Sequence, residues 1–381
     1  MPEQAQYIMI GGFLGAGKST AVLALAEHMN KQGKRVGLIT NDQSVGLVDT
    51  AMMKSAGHSV EEISGGCFCC RFDSLVQAAD RLGESSTPDV FIAEPVGSCT
   101  DLVATVSYPL RRIYGERYRV APLSVLVDPI RAERILGLTE GGNFTEKVVY
   151  VYRKQLEEAD IIVINKTDLI DADRVDQLRA ALSQLNSRAR IVAVSVRDKT
   201  GLNDWFNLID STNAPELETM PIDYDIYAEG EALLGWFNGT VKLHSDKPFD
   251  GEVIMMDLAE AMRTDLAEMN AEIAHLKMTL VPDHHGGRTA TLNVVRNDYI
   301  AELAQSLIEK MRSGLLIVNV RAEGDPDELA RVVQRGMELV IAKHGGSGGV
   351  CITLEHEEHF RPGRPTPTWR MPDAQKLVTE Y

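Results

Sequence analysis

No stretch of this chain approaches the roughly 18 uninterrupted apolar residues that a membrane-spanning helix requires. Basic residues are also short: 39 Lys and Arg stand against 55 Asp and Glu, a formal charge of −16. That balance works against broad binding to nucleic acid or to anionic membranes, which needs a basic face, so neither is expected as a partner. Met1 to Ile10 carries neither the charged start and long apolar stretch of a secretory signal nor the arginines of a transit peptide, and a cytoplasmic location is the expectation. Cysteines are few and unevenly spread: Cys67, Cys69 and Cys70 lie together, while Cys99 and Cys351 stand alone. An odd, clustered set does not make a disulfide framework and suits metal or thiol chemistry. There is no internal repeat.

What is present is ordinary in bulk and organised in pattern. With 381 residues, 44% hydrophobic and 25% charged, the chain can bury sizeable cores and is long enough for two domains. From Gln6 to about Ile209, short β-rich runs alternate with amphipathic helical stretches. The strand candidates are Tyr7–Gly11, Val36–Thr40, Val90–Ala93, Leu123–Val127, Ile161–Asn165 and Ile191–Ser195, several nearly all apolar as strands covered on both faces should be. Helical patterns occupy Ser19–Lys31, Asn143–Glu158 and Asp173–Asn186. This alternation predicts an α/β domain over residues 1–210, with a mostly parallel sheet and helices on both faces. Residues 211–230, with two prolines and many acids, read as a linker. Residues 231–360 read as a smaller α+β domain. Its strands are Gly239–His244, Ala274–Val281, Thr289–Val295, Leu315–Arg321 and Val350–Glu355, and its helices Val253–Ile273 and Pro326–His344. Residues 361–381 read as an extended tail.

Gly12-Phe13-Leu14-Gly15-Ala16-Gly17-Lys18-Ser19 fits the phosphate-binding pattern G-x-x-x-x-G-K-S/T, directly after a strand and before a helix. Gly12, Gly15, Ala16 and Gly17 let backbone N–H groups wrap the phosphates, and the helix N-terminus adds partial positive charge. Lys18 is expected to reach the β- and γ-phosphates, Ser19 to ligate Mg²⁺, and Thr20 to meet the α-phosphate. Downstream, Asn165-Lys166-Thr167-Asp168 closes a strand. A carboxylate at Asp168 can accept both the N1–H and the 2-amino hydrogens of guanine, a pair that adenine lacks. Asn165 would bond the base edge or brace the loop, Lys166 would pack its stem along the ring, and Ser195 is a candidate contact to the guanine carbonyl. Between these motifs, Glu94 ends a strand and can hold a Mg²⁺-bound water, while the Gly97 N–H can sense the γ-phosphate. Asp42 and Asp49 are candidates for Mg²⁺ water or attacking-water contacts, against the alternative of solvated loop acids. This makes the chain a P-loop NTPase by expectation, with Lys18, Asp49 and Glu94 as catalytic candidates.

Gly65-Gly66-Cys67-Phe68-Cys69-Cys70-Arg71 follows an alternating run. In extended chain Cys70 would face away from Cys67 and Cys69, so the three thiols converge only if the chain turns. Converged, they suit Zn²⁺, which takes four tetrahedral ligands, the fourth coming from elsewhere. Buried structural cysteines and a redox switch remain alternatives.

Taken in order, GGFLGAGKST, Asn41-Asp42, GGCFCC, Glu94-x-x-Gly97 and NKTD resemble the CobW-like GTPases. These are the CxCC-bearing branch of the P-loop metallochaperone GTPases, whose relatives serve urease, hydrogenase and cobalamin-dependent mutases. The resemblance covers roughly residues 6–210. It implies slow GTP hydrolysis to GDP, and binding of Zn²⁺ or Co²⁺ through Cys67, Cys69 and Cys70, with Mg²⁺ at the nucleotide. It also implies delivery of metal to a client metalloprotein, and it admits a homodimer. The family's first switch usually reads N-E-x-G-E with an Asp four residues on. Here Asn41 is kept, Asp42 stands for the first Glu, Ser44 for the Gly, Val45 for the second Glu and Asp49 for the Asp. Glu94-Pro95-Val96-Gly97 replaces the common E-T-T-G.

Rival readings are a GTPase assisting corrinoid or cofactor assembly, a thiol-redox-regulated GTPase, and a P-loop small-molecule kinase. Asp168 argues against the last, which needs no guanine reader. His284 and His285, and His356 and His359, are read as solvent-facing polar residues before accessory metal ligands.

Overall fold

The computed structural model describes residues 4–41, 50, 53–54, 56–211, 218–283, 288–346 and 348–372. The chain divides into two compact units, one built on Gly57–Tyr227 with the preceding N-terminal strands and the segment from Arg364, the other on Ala228–Gly363.

In the first unit, strands β1 (Ala5–Gly12), β2 (Val36–Asn41), β3 (Ser59–Ile63), β4 (Val90–Glu94), β5 (Tyr118–Val120), β6 (Ser124–Val127), β7 (Ile161–Ile164) and β8 (Arg190–Ala193) form one sheet. Its order is β3-β2-β4-β1-β6-β7-β8, with β5 paired to β1, and every pairing is parallel. β2, β4, β6 and β7 are buried at every residue, so the near-continuous apolar runs report a sheet covered on both faces. The connecting helices are α1 (Lys18–Lys31), α2 (Phe72–Ser86), α3 (Tyr108–Tyr114), α4 (Pro129–Ile135), α5 (Glu146–Glu158), α6 (Ala172–Leu185) and α7 (Leu202–Ser211). A π-helical turn over Val103–Ser107 leads into α3. Parallel strands share one carboxyl edge, and the loops that leave it carry the sequence motifs. In open α/β sheets that edge is where ligands bind.

Two boundaries depart from the sequence expectation for a plain physical reason. The linker expected over 211–230 contains the start of α8 (Tyr224–Leu233). Its proline- and acid-rich composition hid the Asp223 cap, whose carboxylate accepts the N–H groups of Asp225 and Ile226 at 2.8 and 3.2 Å. The helix expected to run to Ile273 stops at Glu268, because Asn270 turns left-handed (φ 54°) and releases the chain into a strand. The described part of the tail forms no helix or strand and is anchored: Arg370 pairs with buried Asp101 at 2.8 Å, and Met371 is itself buried.

The second unit has a six-stranded antiparallel sheet of β9 (Leu234–Phe249), β10 (Ile273–Pro282), β11 (Ala290–Val294), β12 (Glu302–Gln305), β13 (Met311–Glu323) and β14 (Cys351–Phe360), in the order β12-β11-β10-β13-β9-β14. Two helices cover it, α9 (Gly251–Glu268) and α10 (Pro326–His344), started by Asp250 and Asp325 side-chain caps. Such caps are worth about 1 kcal/mol each. Met255, Leu258 and Met262 of α9 and Leu329, Val333 and Met337 of α10 close the core against Val241, Met278, Leu316 and Val318. Among the described residues no helix is long and apolar enough to cross a membrane.

Candidate active site and metal centre

The loop from β1 into α1 is held by its neighbours before any ligand is considered. Gly17 is left-handed (φ 90°), and Lys18, the first residue of α1, is buried with its Nζ 3.4 Å from the Phe13 carbonyl. Asn165, just past β7, donates from Nδ2 to the Ala16 carbonyl at 2.9 Å, and its Oδ1 accepts the Val196 N–H at 3.3 Å. Asn165 therefore braces the phosphate loop, one of the two roles open to it from sequence. Lys166, left-handed at φ 55°, donates to the Gly15 carbonyl at 2.8 Å and pairs with the buried Asp128 at 2.9 Å. Sequence reading missed Asp128. Its signal was an acid at the end of β6 directly before Pro129, where it also caps α4 by accepting the Arg131 N–H.

Asp168 lies in a short 3₁₀ turn, and one carboxylate oxygen accepts the Ser195 hydroxyl at 2.6 Å. Ser195 lies beyond β8 rather than in it, in a bridge with Thr200 that closes the loop. At the end of β4, Glu94 is buried, and its Oε1 accepts the Ser19 hydroxyl at 3.0 Å. Thr20 follows on α1 and is exposed. Gly97 packs so closely on the phosphate loop that a Cβ there would lie 2.8 Å from the Leu14 side chain and 2.9 Å from its backbone nitrogen. Asp42 and Asp49, with Ser44 and Val45, lie outside the described residues, as do His284 and His285.

The cysteine loop leaves β3 through Gly65 (φ 77°) and Gly66 (φ 146°), conformations open to glycine. The chain then turns back, with the Cys70 and Arg71 N–H groups donating to the Cys67 carbonyl at 3.1 and 2.9 Å. This turn brings together the three thiols that an extended chain would splay. Their sulfurs lie 2.8 Å (Cys67–Cys69), 3.3 Å (Cys67–Cys70) and 3.6 Å (Cys69–Cys70) apart, all as free thiols. Among the described residues they are the one group of three or more His, Cys, Asp or Glu with metal-holding geometry. Hydrogen bonds from Cys69, then Cys70, then Cys99 hold the Cys67 thiol well below its ordinary pKa, while the bond to Cys67 pushes Cys69 well up and Cys70 up to about 11. The donor set of three soft sulfurs fits Zn²⁺, although the trio has to open to sulfurs about 3.8 Å apart to form one face of a tetrahedral site with Zn–S near 2.3 Å.

Two supports of this loop were not foreseen in that role, although Asn41 stands in the first-switch motif. Asn41, ending β2, donates from Nδ2 to the Ile63 and Gly66 carbonyls at 3.0 and 2.7 Å, so it ties the end of β2 to the cysteine loop. The tail returns beside the thiols: the Thr366 N–H donates to Cys70 Sγ at 3.2 Å and the Thr368 N–H to the Cys69 carbonyl at 2.9 Å. Its anchor, Asp101, has φ 65° and also accepts the Tyr224 hydroxyl at 2.7 Å. In the second unit, His359 pairs with Asp327 at 3.1 Å and His356 is exposed.

Residues 6–193 match the family described as CobW/HypB/UreG, nucleotide-binding domain. The chain is 31% identical over 204 residues to the zinc chaperone CobW of a Sinorhizobium species, a match covering 47% of this chain and 56% of that protein. It is 32% identical over 163 residues to the zinc chaperone YeiR of Escherichia coli strain K12, covering 42% of this chain and 46% of that one. These matches span about half the length of the curated relatives. A crystal structure of Zn(II)-bound YjiA GTPase from E. coli aligns over 88% of this chain and 99% of its own, at 18% identity and a TM-score of 0.35. With its parallel sheet, its P-loop and its CxCC turn, the first domain of this chain belongs to the CobW/HypB/UreG family of nucleotide-binding domains.

Proposed function

We propose that this protein is a GTP-hydrolysing metal chaperone that carries Zn²⁺ or Co²⁺ on Cys67, Cys69 and Cys70 and hands it to a client metalloprotein. The observation that carries the reading is the convergence of three thiols within 4.8 Å, on a loop tied through Asn41 to the strand end that precedes the first-switch residues. The two curated relatives above are both named zinc chaperones, which supports the same cargo.

In this account GTP is the substrate of the β1–α1 loop. Backbone N–H groups from Gly12 to Ser19 and the Lys18 ammonium neutralise the phosphates, and Thr20 reaches the α-phosphate. Asp168, oriented by Ser195, accepts from the guanine edge, while Asn165 and Lys166 brace the loop. The donor set of the Ser19 hydroxyl and the Glu94 carboxylate is hard oxygen and fits Mg²⁺, which would neutralise charge developing on the phosphates. Asp42 and Asp49, outside the described residues, are the candidates for contacts to a Mg²⁺-bound water or to the attacking water. Gly97, with no space between it and Leu14, would register the γ-phosphate by displacement of its own loop. Hydrolysis can drive metal release only if the GTP and GDP states bind the metal with different affinity.

The test is direct. Purified, reduced full-length protein should bind GTP well above ATP, hydrolyse it slowly, and retain Zn²⁺ or Co²⁺ after desalting. Equal binding of ATP and GTP, or no metal retained by the reduced protein, sinks the proposal.

A further inference from the structure

Three thiolates leave a tetrahedral cation one ligand short, and a fourth thiol stands at hand. Cys99 lies two residues beyond Gly97 on the loop that leaves β4, and only 1% of its surface is exposed. Its thiol is hydrogen-bonded to Cys67, the same sulfur that Cys69 and Cys70 contact. Cys69 and Cys70 of the turn and Cys99 of the loop after β4 thus reach the Cys67 sulfur from two separate loops. Cys99 stands outside the mutually close trio, touching it through Cys67.

The backbone that carries Cys99 is fixed to the nucleotide side. The Gln155 amide, from α5, donates to the carbonyls of both Gly97 and Cys99 at 2.9 Å, and the Cys99 N–H returns to the Val96 carbonyl at 3.0 Å. Gly97 in turn abuts the phosphate loop at Leu14. Residues Gly97 to Cys99 therefore form one hydrogen-bonded piece between the phosphate loop and the thiols. At the far side, the Thr366 N–H donates to Cys70 Sγ, which eases the negative charge that four thiolates around a divalent ion would accumulate.

We propose that Cys99 supplies the fourth thiolate of the metal site, making it a closed four-sulfur site with one ligand drawn from the nucleotide-sensing loop. The inference rests on the metal-chaperone reading and specifies its ligand set. On binding, each thiol that still holds a proton gives it up to solvent, each sulfur donates an electron pair to the cation, and nothing is oxidised or reduced. A site completed from the sensing loop can open to three ligands when that loop shifts, which would expose the cation to a client's donors without breaking the CxCC contacts.

The experiment is a Co²⁺ titration of reduced, full-length wild-type protein and of Cys99→Ser, read by the sulfur-to-cobalt charge-transfer band, together with zinc-edge X-ray absorption on the zinc-loaded wild type. The expected results are four sulfur neighbours in the wild type and, in the variant, a band per bound cobalt of about three quarters of wild-type intensity. Zinc affinity of the variant should fall by roughly ten-fold or more in chelator competition. A thermal melt establishes that the variant is folded, and if it is not, the sulfur count of the wild type decides alone. A wild type with three sulfurs, or a folded variant with an unchanged band and affinity, overturns the inference while leaving a three-thiol chaperone standing. A wild type with no thiolate band overturns the chaperone reading and this inference together.

Discussion

Asp168, the proposed reader of the base, is held by its neighbours: the Ser195 hydroxyl and the Arg197 guanidinium contact its two oxygens at 2.6 and 3.4 Å. Replacing it with asparagine keeps the shape but turns one acceptor into a donor that faces the guanine N1–H. Losing charge-assisted hydrogen bonds of this kind costs about 1.5–3 kcal/mol, so Asp168→Asn is expected to weaken GTP roughly ten- to hundred-fold and to shift preference toward xanthosine triphosphate in competition binding. Unchanged selectivity would remove Asp168 as the base reader. A second prediction concerns Glu158, which burial and then the nearby Asp101 carboxylate push up to about 8, against the opposing pull of the Val103 N–H and the Thr100 hydroxyl. Also around Asp101 stand Arg370, Tyr224 and Lys154. The folded state thus keeps a proton that the unfolded state loses near 4.5. The resulting stability is fully present below 4.5, declines as pH rises from there, and is gone above about 8. Glu158→Gln stays neutral throughout, so its Tm relative to wild type should climb from pH 4.5 to about 8 and level off above that. A constant difference would mean that Glu158 is ionised in the fold. Asp160, pushed up to about 6 by burial, is present in both proteins and cancels in the comparison.

Among the elements, those with strong periodicity or strict local chemistry were legible in the sequence. The apolar runs gave the parallel strands, and Asp325-Pro326 opening an amphipathic run marks α10, which spans Pro326–His344. The elements that escaped are those whose stability comes from distant partners. Strand β5 is three residues long and exists through its pairing with β1. The start of α8 is masked by prolines and acids, and no local rule announces that a proline- and arginine-rich tail will return to the cysteine loop. The site divides the same way. The P-loop, NKTD and CxCC segments are local in sequence and could be named from it, whereas Asp128, Asn41 and Thr366 act on residues far along the chain. Asn41 allows a test at this scale. Asn41→Ala would leave the Ile63 and Gly66 carbonyls without the amide that holds them at 3.0 and 2.7 Å, and should lower metal affinity roughly ten- to hundred-fold, as loss of an outer support typically does. Chelator competition with intact tail and thiols reads the effect, and an affinity equal to wild type would mean that the glycine turn alone sets the thiol geometry.

For the whole molecule, the account requires two sites in one domain that are separable in chemistry and coupled in energy. Lys18 is buried in the phosphate loop, its Nζ 3.4 Å from the Phe13 carbonyl, so Lys18→Ala should lower GTP hydrolysis by at least about a hundredfold while Co²⁺ still binds the reduced protein. Loss of both activities in a variant that melts like wild type would make the two sites a single unit. The coupling is the central claim, because a chaperone whose metal affinity ignores the nucleotide gains nothing from hydrolysis. It is tested most directly by titrating Co²⁺ into reduced wild-type protein, first with GDP and then with a non-hydrolysable GTP analogue, and following the thiolate charge-transfer band. The account predicts two distinct binding curves, separated by the 5- to 150-fold range, about 1–3 kcal/mol, typical of coupled sites. Superimposable curves would contradict it.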